Sequence, residues 1–159
     1  MKSSYSDEVK SIICNEAGAI FLEDSSVTLY GYKLYGSPWN RGFPHRRDMH
    51  DCTLTCQELW ENIPTDTDIL MTHPPSKGHG DKSSRGILEG CEKLLYEIEQ
   101  RVKPLVHVFG HIHEDYGFSK SDIVDTLFIN AGICNHERPM KPLNKPIVFD
   151  LPLLVNCES

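Results

Sequence analysis

Val106-His107-Val108-Phe109-Gly110-His111-Ile112-His113-Glu114 is an apolar, strand-forming run that stops at a glycine and then delivers two histidines spaced i, i+2. β-Branched and aromatic residues ending abruptly in Gly predict a buried strand, with His111 and His113 on the loop beyond its carboxyl end. Open α/β sheets carry their chemistry at that position. Neutral imidazoles are common ligands for Zn, Mn, Fe and related cations, so two from one short turn can approach one metal or two adjacent ones.

A second run repeats the pattern. Asp68-Ile69-Leu70-Met71-Thr72-His73-Pro74-Pro75 is again an apolar strand ending in a histidine, followed by two prolines that bar helix continuation. A single histidine at a strand end is most often solvated or hydrogen-bonded; two strand ends that both carry histidines point to a shared site. Between the runs, Ile87 to Val102 places Leu88, Cys91, Leu94, Leu95, Ile98 and Val102 at helical spacing, with Glu and Lys opposite. Strand, helix and strand from Ile69 to Phe109 form a βαβ unit, for which parallel pairing by a right-handed crossover is expected.

Working outward, Ala19 to Leu22 and Val27 to Gly36 are expected to be short strands, the second folding as a hairpin about Gly31. Thr53 to Asn62 is a short helix ended before Pro64. Further strands are expected at Thr126 to Asn130 and Ile147 to Leu151. Ser76 to Gly86, rich in Gly, Ser, Lys and Asp, is a loop directly after the His73 turn. Its Lys77, Gly78 and Gly80 do not have phosphate-loop spacing, and its His79 is a candidate substrate contact whose default role is a solvated histidine. His107, inside a strand, is expected to be buried and hydrogen-bonded. Asn130 could orient a ligand, with backbone satisfaction as its more ordinary role.

The series Phe21-Leu22-Glu23-Asp24-Ser25, Tyr35-Gly36-Ser37-Pro38-Trp39, Ile63 to Pro75, Gly90-Cys91-Glu92-Lys93-Leu94-Leu95, Pro104 to Glu114, Phe128-Ile129-Asn130-Ala131 and Pro146 to Pro152 resembles the calcineurin-like metallophosphoesterases. The similarity is greatest to their metallophosphoesterase-domain-containing phosphodiesterase branch. The resemblance implies a hydrolase that cleaves a small phosphate ester at a binuclear centre of divalent ions, Mn first and Fe or Zn as alternatives. It further implies that His73 and His111 serve one metal and His113 the other. Paired cations about 3.5–4 Å apart lower the pKa of a bound water and neutralise charge building on phosphoryl oxygens.

The family pattern also begins with Asp-x-His, Gly-Asp and Gly-Asn-His motifs. Residues 1 to 20 contain no histidine, and Asp7, Glu8 and Glu16 fit none of those motifs. Asn135-His136-Glu137 echoes the last of them only by coincidence. His73 also abuts Pro74 directly, where the branch has an intervening glycine. On these grounds the chain is expected to be an α/β protein forming the C-terminal half of the family's four-layer α/β/β/α sandwich with mixed sheets. Residues 1–159 would then be a single partial domain, with a sheet edge or face left for association. The expected consequence is single-ion or weak metal binding and impaired hydrolysis. The alternative is an inactive ligand-binding or regulatory isoform that pairs with a complete homologue.

Composition sets the remaining limits. With 159 residues, 39% of them hydrophobic, the length suits one domain. A formal charge of −7 and a pI near 5.6 argue against a nucleic-acid scaffold, and Arg41 to Arg47 is expected to be a solvated loop. No apolar run is long enough to span a bilayer and Met1 to Asp7 has no signal-peptide core, so no membrane partner and a cytoplasmic location are expected. Six scattered cysteines are expected to be reduced thiols. A structural zinc site at His45, His50, Cys52 and Cys56 is the remaining rival; the order of its ligands is wrong for common fingers.

Overall fold

The computed structural model describes residues 7–39 and 58–153, except 136 and 138. His45, His50, Cys52, Cys56, Arg41 to Arg47, His136 and the first part of the Thr53–Asn62 helix lie outside the described residues. Residues 58–61 are helical, as expected for the end of that helix.

One six-stranded mixed sheet organises the molecule. Its strands are β1 (Ser25–Leu29), β2 (Tyr32–Ser37), β3 (Ile69–Thr72), β4 (Val106–Phe109), β5 (Gly117–Lys120) and β6 (Leu127–Asn130), in spatial order β1-β2-β3-β4-β6-β5. The four central strands β2, β3, β4 and β6 are mutually parallel, and β1 and β5 close the edges antiparallel. The hairpin forms about Gly31 as expected, because Tyr30 (φ 53) and Gly31 (φ 87) both take the left-handed backbone that matches strand twist in a two-residue turn.

The two-sheet sandwich half expected above is corrected here. Among the described residues a single sheet forms, and the tail expected to add a strand at Ile147 to Leu151 runs extended without a ladder. Ala19 to Leu22 likewise forms no strand; Leu22 instead packs at Gly36, where an added Cβ would lie 2.5 Å from its own Cβ. An α-helical turn at Asp7–Ser11 continues as a π-helical turn at Ile12–Glu16, tied down by Lys10 on Glu23 at 2.7 Å.

The βαβ unit forms as its periodicity implies. Helix α2 (Glu92–Glu97) continues in a π-helical turn, Ile98–Val102, and ends at Lys103 in the left-handed conformation before Pro104. It starts five residues later than the apolar spacing suggests. Leu88 pairs with Lys82, and the Cys91 N–H donates to the Pro75 carbonyl, so the segment before Glu92 is drawn into the loop instead.

Register explains where the core sits. Tyr35, Leu70, His107 and Phe128 are direct neighbours across β2, β3, β4 and β6, forming one row on one face. Leu94, Ile98 and Val102 cover that face together with Trp60 and Ile63. Arg101 joins the two helical segments, donating from Nη1 to the Ile63 carbonyl at 2.6 Å and from Nη2 to the Trp60 carbonyl at 2.8 Å while pairing with buried Glu97. Because the central strands run parallel, β3, β4 and β6 deliver His73, Gly110-His111 and Asn130 to one end of the sheet.

Candidate metal centre

His73 and His111 meet at that end. The Gly110 N–H donates to the His73 carbonyl at 3.2 Å, extending the β3–β4 ladder one step past the strands. His111 then turns with φ 73, a left-handed conformation that is uncommon for a side-chain-bearing residue. The result brings His73 Nε2 within 3.1 Å of His111 Nδ1, the rings edge-on with centroids 4.9 Å apart. Backbone strain held by surrounding structure is a recurrent property of binding sites.

The surroundings of both rings favour the neutral form. Burial lowers the His73 pKa first, and the neighbouring His111 and His113 lower it further. For His111, burial again comes first and His113 adds to it, while Glu89 and Glu114 act in the opposite direction. Each residue retains an exposed edge, so exchange with solvent is open. A neutral ring is the form that offers a lone pair to a cation.

His113 belongs to the same neighbourhood, close enough to act electrostatically on both rings. It opens the single 3-10 turn His113–Asp115, and its Nδ1 lies 3.1 Å from the Asn135 carbonyl oxygen. Gly132 leaves room beside it: a Cβ there would sit 3.8 Å from His113 Cδ2. Asn130 takes the backbone role, donating from Nδ2 to the Gly80 and Ile112 carbonyls and accepting from the Gly132 N–H. It thereby pins the 76–90 loop to the His111–His113 turn. Two further bonds assist, Lys82 N–H to Asp115 at 2.8 Å and Ser84 N–H to Glu114 at 3.1 Å.

His107 is fully buried, and burial pushes its imidazole down to about 3, with His79 adding in the same direction. Thr72 Oγ1 spends its only hydrogen on the Pro74 carbonyl at 2.7 Å, so His107 Nε2, 2.9 Å away, must be the donor to Thr72. His107 Nδ1 is then a buried lone pair without a partner. Packing beside Phe109 and Phe128 makes it a core histidine and excludes it from the surface pair.

The donor set does not fit a complete binuclear centre. Among the described residues, no group of three or more His, Cys, Asp or Glu side chains is arranged to hold a metal ion. What the chain presents is a two-nitrogen pair. A separation of 3.1 Å is within reach of two metal–imidazole bonds of about 2.0–2.1 Å each.

The family model for calcineurin-like phosphoesterases matches residues 4–115. The chain belongs to the calcineurin-like phosphoesterase family. A Caenorhabditis elegans protein, UPF0046 protein C25E10.12, is 42% identical over 139 residues, covering 84% of this chain and 47% of the relative. Metallophosphoesterase domain-containing protein 1 of Homo sapiens is 38% identical over 153 residues, covering 96% of this chain and 45% of the relative. The chain thus spans about half the length of these curated relatives. Phosphoesterase homology runs through nearly the whole of this chain, starting at residue 4, which corrects the expectation that the resemblance concerns only a C-terminal half. No helix among the described residues is long and apolar enough to cross a membrane.

The charged relay that holds the 76–90 loop was not legible beforehand. Glu114 and Asp115 are ordinary acids in the sequence, and only the fold shows them accepting from a loop 30 or more residues away. The edge strand β5 was also missed, and with it the cavity beside Asn130.

Proposed function

We propose that this chain is a metal-dependent phosphate-ester-binding member of its family, in which His73 and His111 hold one divalent cation, Mn first, and His113 acts as an outer ligand. Low phosphodiesterase activity is the accompanying expectation. The observation that carries this reading is the 3.1 Å approach of His73 Nε2 to His111 Nδ1 at neighbouring parallel strand ends. Partial burial lowers the pKa of both imidazoles, a direction that favours cation binding over protonation.

A cation bound there would supply positive charge and Lewis acidity for a phosphoryl oxygen, which an acidic chain otherwise lacks. The chain's own contribution is to orient the two rings through the Gly110–His73 backbone bond and to fix the adjoining loop through Asn130. Two divalent ions side by side require a bridging anion between them. The two-nitrogen pair of His73 and His111 is the donor set on which a single ion is proposed. The same feature favours a second reading, in which the site binds a phosphate-ester ligand for regulation and turns it over poorly.

Calorimetry and metal analysis on the purified chain, with Mn and then a phosphodiester such as bis(p-nitrophenyl) phosphate, test this directly. One ion per chain, affinity lost by about tenfold or more in His73→Ala, and low turnover are expected. Two tightly held ions with robust turnover would overturn the single-ion assignment, and unchanged binding in His73→Ala would remove the site itself.

A further inference from the structure

A second constellation uses neither His73 nor His111 and joins the 76–90 loop to the β5–β6 ladder. In the β5–β6 ladder Ser119 stands directly opposite Phe128, so a hydroxyl and a flat aromatic ring form one seat. The His79 imidazole occupies it. Its ring stacks on Phe128 with centroids 3.7 Å apart and planes 8° from parallel, and its Nδ1 lies 2.9 Å from Ser119 Oγ. Stacking fixes the ring plane while the hydrogen bond fixes its rotation, which is the arrangement a nucleophile–base pair needs.

Three surrounding features bear on what this pair can do. Ser119 opens onto a cavity of about 290 Å³ whose other walls include Gly78, Gly80, Asp115, Tyr116 and Asn130. Gly78 and Gly80, on either side of His79, have φ of 81 and 56, so the loop backbone itself forms one wall. Gly80 also cannot be enlarged, since a Cβ would meet Asn130 at 2.9 Å and Phe109 at 3.0 Å. Burial lowers the His79 pKa, while the carboxylates of Glu99, Asp81 and Asp122, in that order, act in the opposite direction and favour an imidazolium once a proton arrives. A base needs both properties.

We propose that Ser119 and His79 form a nucleophile–base dyad that accepts the acyl group of a small carboxylic ester in this cavity. Asp115 lines the cavity and, among the described residues, no Lys or Arg does, so the fitting ester is neutral or cationic, a different class from the anionic phosphate esters proposed for the histidine pair. In the forward step Ser119 Oγ bonds to the carbonyl carbon and its proton passes to His79 Nδ1. The tetrahedral adduct collapses as the carbon–alkoxide bond breaks, and His79 returns the proton to the departing alcohol. Water, deprotonated by the same Nδ1, then attacks the acyl-serine; the carboxylic acid leaves and Ser119 recovers its hydrogen.

A fluorophosphonate probe, followed by peptide mass spectrometry, tests the dyad without reference to metal. Stoichiometric labelling is expected at Ser119 of the intact chain. It should vanish in Ser119→Ala and slow by about 100-fold or more in His79→Phe, which keeps an aromatic ring for stacking on Phe128. The labelling rate should fall as pH drops through the titration of His79, and p-nitrophenyl acetate hydrolysis should fall with it. EDTA should change none of these rates, which separates this dyad from the metal site. Absence of an adduct at Ser119 on folded protein would overturn the proposal. So would labelling that His79→Phe leaves unchanged, because the hydrogen bond would then be only a latch for the loop. Should His79→Phe fail to fold by circular dichroism, Ser119→Cys gives the same information: its alkylation by iodoacetamide should run faster than that of Cys91, and equal or slower alkylation would count against the dyad.

Discussion

His73 Nε2 and His111 Nδ1 stand 3.1 Å apart although 38 residues separate them in the chain. Two neutral rings at that distance share one proton, and protonating both would set two positive charges against each other. The pair is therefore a receptor for one cation, either a proton or a metal.

His111 is the sharper place to test this. Its φ of 73 suits glycine, so His111→Gly relieves backbone strain while deleting one ring. Metal affinity should drop by about tenfold or more in His111→Gly, with the thermal midpoint held within a few degrees. His113→Ala should weaken binding less, since the close nitrogen pair is formed by His73 and His111. Equal losses in the two variants, measured by calorimetry with Mn, would contradict the ranking.

Acid stability should report His107. Its folded-state pKa, pushed down to about 3, lies below the unfolded value of roughly 6.5. Between those limits the unfolded chain binds the extra proton, so stability is unaffected by this group above the window and falls as pH falls through it. At pH 5 the loss is on the order of 2 kcal/mol. Urea midpoints at pH 7 and pH 5 should differ accordingly, and His107→Leu should flatten the slope; an identical slope in that variant would assign the acid sensitivity elsewhere.

Gly90 should not tolerate a side chain. A Cβ there would lie 2.4 Å from the Ser76 carbonyl oxygen and 2.6 Å from Asp81 Oδ2, the same oxygen that accepts the Gly90 N–H. Ser76 and Asp81 are both buried, so neither can yield cheaply. Gly90→Ala should cost about 1–3 kcal/mol. A denaturation midpoint equal to the parent's would mean that the loop repacks freely.

Arg101 should be worth more than a surface ion pair. It satisfies the carbonyls of Ile63 and Trp60 and partners the buried carboxylate of Glu97. Arg101→Ala leaves all three acceptors short, at a cost of about 2–3 kcal/mol. Arg101→Lys should recover only part of this, because an ammonium cannot reproduce the planar fork. Full recovery by lysine in urea unfolding would show that charge alone matters.

Local patterns carried the β3–α2–β4 unit, because an apolar stripe at helical spacing between two short apolar runs has few other ways to be buried. The hairpin about Gly31 was legible for the same kind of reason, since a two-residue turn needs positive φ. Strand β5 was not. Gly-Phe-Ser-Lys is brief, and its Phe118 points outward at 73% exposure, so its periodicity signals no core. The start of α2 was misplaced because Leu88 fits the helical stripe, yet its backbone finds a strand-like partner in Lys82.

Residue order alone determined that histidines end two apolar runs and that a helix must cross between those runs, because side-chain periodicity and glycine or proline stops are local properties. Which histidines meet was decided by the fold: parallel register and the left-handed turn at residue 111 join 73 to 111, while 113 meets the Asn135 carbonyl. The seat that receives His79 likewise exists only because Ser119 and Phe128 pair across strands, a proximity that no spacing along the chain encodes.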